Sequence, residues 1–169
     1  INSIGNSGTN TALGNSSGVI NIGAGTLQYT GTGHSSARAI VLTANGATLD
    51  GSGSGALTLS GGITGAFNLT LTGTATGANA SVISGVIGTG AGTVTKTGTG
   101  QWTLSNTNTY SGVTNINGGI LSIGASANLG NGSGTNNLTF NGGTLKLTGV
   151  FTTSRLITLN GNSSTLNTI

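Results

Sequence analysis

The chain has 169 residues, of which 34 are glycine and only 3% are charged, with no proline, cysteine or methionine. A net charge of +3, four basic residues against one acidic, is too thinly spread to form a basic patch and argues against a nucleic-acid partner. Hydrophobic residues make up 34%, too many for a disordered chain, and no run reaches the roughly 18 apolar residues of a membrane span, so no membrane insertion is expected.

Short runs in which apolar residues alternate with threonine predict half-buried strands. In chain order they fall near 19–22, 26–30, 39–43, 47–50, 56–60, 68–72, 81–84, 93–96, 101–104, 113–116, 119–123, 137–140, 144–148, 156–159 and 165–167. Gly, Asn or Ser bounds each run. No window shows the three-and-four apolar spacing of a helix.

One module occurs twice. Leu13–Gly18, Gly25–Gly31, Arg38–Leu42 and Thr48–Asp50 return as Leu129–Gly134, Gly143–Gly149, Arg155–Leu159 and Thr165–Asn167, at an offset of roughly 116 to 118 residues. The chain therefore reads as one solenoid segment over 1–169, with partial copies at 11–52 and 127–169 that are expected to superpose as equivalent coils. Asn-Gly pairs could also make antiparallel hairpins, but hairpins would not explain the long period. The expected fold is all-β, a right-handed parallel β-helix. With about 20 residues per coil it would have about eight coils and a length of about 40 Å. Its core would be a narrow column of Val, Ile, Leu and Phe. No signal peptide opens the chain, so a secreted form is expected to be a mature or excised piece.

The most specific stretch runs from Gly85 to Leu121. Lys96-Thr-Gly98, Gly100, Thr103-Leu104, Asn108-Thr-Tyr110, Gly112, Thr114, Ile116 and Gly119 resemble the autotransporter-associated β-strand repeat, or passenger-associated transport repeat. The flanks around Arg38 and Arg155 look like the same family. The resemblance implies a parallel β-helix in secreted or surface passenger regions of bacterial adhesins, acting as stalk and folding nucleus. Gln101-Trp102 departs from the usual small or aliphatic residues, and Asn167 replaces the acidic residue of the first copy.

Chemistry is limited by inventory. Asp50 is the lone carboxylate side chain and His34 the lone histidine, so paired acids for glycoside hydrolysis are absent. One acid cannot build a calcium site, and one histidine is not a zinc site. No catalytic, cofactor or metal residue is expected. Gly90–Thr97 lacks the glycine before Lys96 that a phosphate loop needs, and no helix follows it; Lys96 reads as an exposed strand-end residue. Trp102, Tyr110 and Tyr29 read either as a sugar platform, with Trp102 and Tyr110 as the contacts, or, preferably, as aromatics covering the core at a coil corner. Arg38 and Arg155 read as corner residues bonded to carbonyls of the next coil.

The leading expectation is a structural segment of a bacterial extracellular repeat protein without catalytic activity, placed outside the cell or on its surface. The alternative is a binding module with a carbohydrate- or ice-binding face, supplied by Thr93, Thr95, Thr97 and Thr99. Expected partners are further repeats or identical chains end to end, and surface glycans.

Overall fold

Alternating strands with glycine at the corners wind into stacked coils in the computed structural model of the chain, which describes residues 1, 3 and 18–160 and the backbone of 165–168. In chain order the strands are β1 (Ile20–Gly23), β2 (Thr26–Tyr29), β3 (Thr32–Ser36), β4 (Ile40–Ala44), β5 (Ala47–Gly51), β6 (Gly55–Leu59), β7 (Ile63–Thr64), β8 (Leu69–Thr72) and β9 (Ser81–Ile83). There follow β10 (Ile87–Gly88), β11 (Val94–Lys96), β12 (Gln101–Leu104), β13 (Thr114–Ile116), β14 (Ile120–Ile123), β15 (Leu138–Phe140), β16 (Thr144–Leu147), β17 (Ile157–Leu159) and β18 (Thr165–Thr168). No α-helix occurs among the described residues; two 3₁₀ turns, Gly77–Asn79 and Ser126–Leu129, bridge corners.

The strands form three parallel sheets. Sheet I is β1-β4-β7-β10, sheet II is β17-β15-β13-β11-β8-β5-β2, and sheet III is β18-β16-β14-β12-β9-β6-β3. Registered partners lie 22 residues apart at Thr26↔Thr48, 25 at Leu69↔Val94 and 19 at Leu138↔Ile157. Coils of this average length make about six turns, not the eight that 20-residue coils imply. The corners and 3₁₀ turns take up more chain than the strand spacing suggested.

Side chains stack in columns because parallel coils hold register. Inside sheet II run Leu49, Leu71, Lys96, Ile116 and Phe140. Inside sheet III run Leu59, Ile83, Leu104, Ile123 and Leu147. Sheet I adds Ile20, Ile40, Ile63 and Ile87. These columns form one core along the axis. Outside sheet II the register aligns Thr26, Thr48, Thr70, Thr95, Asn115, Thr139 and Thr158. Polar ladders of this kind satisfy one another across coils: Asn115 Nδ2 donates to Thr95 Oγ1 at 3.4 Å and Asn141 Nδ2 to Asn117 Oδ1 at 2.7 Å.

The two sequence copies do not share a face. Leu27 and Leu49 sit on sheet II, whereas Leu145 and Leu166 sit on sheet III; Ile40 is on sheet I and Ile157 on sheet II. The offset exceeds five coils by about one strand and its corner, so the second copy is displaced by one face. The Leu13 segment of the first copy lies outside the described residues.

Candidate functional site

The corner after β11 is built around Lys96. Its strand register places the side chain inward, between Leu71 and Ile116, where it is fully buried rather than exposed at a strand end. An ammonium there needs acceptors for three N–H groups. Nζ donates to the carbonyls of Thr97, of Gly98 at 3.4 Å and of Gly118 at 3.3 Å. Burial lowers the pKa from 10.5 to about 8. The glycines of the motif let this corner close. A Cβ on Gly98, where φ is +65°, would lie 2.8 Å from the Gly73 carbonyl oxygen, and one on Gly100 would lie 2.8 Å from that of Ala75. The chain passes too close to the coil beneath for any side chain.

Trp102 and Tyr110 do not form a sugar platform. Trp102 is 1% exposed and Tyr110 fully buried. The indole N–H donates to the Thr72 carbonyl at 2.7 Å. The ring fits because its neighbours are small: Ser81 is its register partner, and a Cβ on Gly51 would lie 3.3 Å from the ring. Tyr110 shares a 2.8 Å hydrogen bond with Thr114 Oγ1, and burial pushes its phenol pKa upward. Tyr29 is likewise buried, its hydroxyl accepting from Gly33 N–H at 2.8 Å.

Sheet I stops at β10, and asparagines take over its bonding. Asn108 Oδ1 accepts from Ile87 N–H at 2.8 Å, and its Nδ2 donates to the Asn128 carbonyl at 2.6 Å. One amide thus joins the coil below to the coil above. Asn128 Nδ2 donates to the Asn106 carbonyl at 2.8 Å, and Asn136 Nδ2 to the Gly112 carbonyl at 2.7 Å. Gly112 is required because a Cβ would lie 2.3 Å from the Gly92 carbonyl oxygen. Asn128 and Asn136 were not singled out from sequence; asparagines about one coil apart, as at 108 and 128, were the available signal.

Arg155 joins this flank. Its Nε donates to Asn136 Oδ1 at 3.0 Å and Nη2 to the Gly130 carbonyl at 2.9 Å; Nη1 donates to Ser126 Oγ and to Thr153 Oγ1 at 3.3 Å. Burial draws its pKa below the ordinary value, with Tyr110 opposing the shift. Arg38 lies in the early coils, where Nε donates to the Gly18 carbonyl at 3.1 Å and buried Nη1 finds no hydrogen-bond partner among the described residues. The structure therefore groups Asn108, Tyr110, Gly112 and Arg155 on one flank, Lys96, Gly98 and Gly100 at another corner, and leaves Arg38 apart. Beside Arg155 opens a groove of about 440 Å³. Thr107 and Thr109 line it from one coil, Ser126 and Asn131 from the next, and Thr152 and Arg155 from a third.

His34 and Asp50 build no reactive pair. His34 lies on sheet III and Asp50 on sheet II. The Asp50 carboxylate accepts from Gln28 Nε2 at 2.9 Å and from Ser52 Oγ. No cluster of metal-binding side chains occurs among the described residues.

The passenger-associated-transport-repeat family model matches residues 94–123. That span runs from the first residue of β11 to the last of β14, and it contains the Lys96 corner and the Asn108–Gly112 bridge. The chain is also 38% identical over 170 residues, 99% of its own length, to the adhesin BmaC autotransporter of Brucella suis biovar 1 (strain 1330). It spans about 5% of the length of that relative. No solved structure matches. A buried lysine corner, glycines under neighbouring backbone and an asparagine bridge are what the matched residues build, and the chain is a β-solenoid segment similar to the passenger-associated transport repeat over residues 94–123 and to part of an autotransporter adhesin over nearly its whole length.

Proposed function

We propose that this segment is a stiff, non-catalytic part of an adhesin passenger, secreted or displayed on the bacterial surface, that extends binding regions away from the cell. The observation that carries the reading is its match, over nearly its whole length, to a small fraction of an adhesin autotransporter. The architecture suits a stalk, because each coil bonds to the next along the axis and length is gained by adding coils around the same core columns. The inventory agrees, since one carboxylate leaves little for acid–base catalysis.

The test is labelling of intact cells of the source organism with antibody raised against the 169-residue chain. Labelling before permeabilisation is the expected result. Signal that emerges only after permeabilisation would remove the surface role.

A further inference from the structure

We propose that the groove beside Arg155 binds an acidic sugar residue, the guanidinium meeting its carboxylate or sulfate and the surrounding hydroxyls and amides meeting its ring hydroxyls. The site opens where sheet I has ended, so turns rather than strands from three successive coils form its walls. Its volume of about 440 Å³ falls in the range of small-molecule sites, roughly 300–1,000 Å³.

The charge in the groove is uncompensated. Arg155 has five N–H donors, and four bonds go to Ser126, Asn136, Thr153 and the Gly130 carbonyl. All four acceptors are neutral, and among the described residues one Nη2 hydrogen is left over. The lone acidic side chain, Asp50, is held by Gln28 and Ser52. It lies on β5, five strand steps from β17 in sheet II. At about 4.8 Å per step that is about 24 Å, beyond the screening length of about 8–10 Å. An anion arriving in the groove meets a cation already oriented by its own hydrogen bonds, which reduces the ordering cost of binding.

Other lining residues suit the rest of the ligand, with Ala127, Gly130 and Gly132 offering apolar surface to the ring's C–H groups. Thr107, Thr109, Thr152, Ser154 and Asn131 present neutral groups that both donate and accept. An inorganic anion would use the guanidinium alone; a polyol carrying an acidic group uses both. The inference goes beyond the stalk reading, because the coils stack in the same way whether or not the groove is filled.

Calorimetric titration of the full chain distinguishes the sources. N-acetylneuraminic acid and glucuronate are expected to bind, with glucose and inorganic sulfate each at least about tenfold weaker at fixed ionic strength. Ser154→Asp and Thr152→Asp each place a carboxylate at an exposed groove position and are expected to abolish acidic-sugar binding while leaving the circular dichroism unchanged. Two substitutions guard against misfolding of one. Absence of acidic-sugar binding, sulfate or glucose matching the acidic sugars, or full binding by the folded aspartate variants would overturn the proposal.

Discussion

Lys96 shows how one residue can be legible as a motif and illegible as a structure. The Lys-Thr-Gly signature was plain, but a lysine in an alternating strand is ordinarily read as exposed. Register decides otherwise, and three carbonyls make its burial tolerable. The consequence is a pH dependence. Unfolded, the amine titrates near 10.5; in the fold it titrates near 8. Between those values the unfolded chain holds the extra proton, so stability rises as pH climbs through that window. Tyr110 acts in the opposite sense. Its phenol is raised above 10.0 by burial, so the folded chain retains that proton longer and stability falls above pH 10. Melting temperature should therefore rise from pH 7 to about pH 10 and then drop. Lys96→Met should flatten the rise, and Tyr110→Phe should remove the drop; a Lys96→Met profile parallel to wild type would contradict the assignment. Asn108 carries a second residue-scale expectation. Asn108→Ala strips partners from the Ile87 N–H and the Asn128 carbonyl, and urea unfolding should show a loss of about 2–3 kcal/mol.

At the scale of elements, every strand anticipated from alternation is present. Three more were missed. The β3 sequence Thr-Gly-His-Ser-Ser has no apolar alternation, and β7 and β10 have two residues each. β7 pairs with β4 and β10, while β3 and β10 each pair with one neighbouring strand; these strands exist because an adjacent coil offers backbone partners, not because of local propensity. The aromatic residues follow the same logic. Trp102 lies inside sheet III because Ser81 and Gly51 leave room for the indole, a match between residues far apart in sequence. Trp102→Ala should destabilise the chain by about 3–5 kcal/mol through lost contacts and a cavity, read by urea unfolding followed by circular dichroism. A loss under about 1 kcal/mol would mean that the neighbouring coils collapse into the space.

For the whole molecule, coil length is the governing quantity. Thr48 is the register partner of Thr70, so removing residues 48–69 deletes one complete coil and returns every later strand to its own sheet. The shortened chain should fold as a parallel solenoid, with a urea m-value lower by about one-sixth. Removing residues 48–58 instead moves later strands onto the wrong face and breaks the columns. That variant should fail to give a cooperative transition, and equal behaviour of the two deletions would contradict the observed register.

Fifteen of the eighteen strands, the absence of α-helix among the described residues and the resemblance to the transport repeat were carried by sequence alone, because alternation, corner glycines and the Lys-Thr-Gly to Asn-Thr-Tyr order are local patterns. The number of turns, the face on which each copy of the module lies, the burial of Lys96, Trp102 and Tyr110, and the groove beside Arg155 were decided only by the tertiary structure. Each depends on which residue stands about 22 positions away in the next coil. Small differences in corner length, from 19 to 25 residues between partners, shift that pairing without leaving any trace in a single strand.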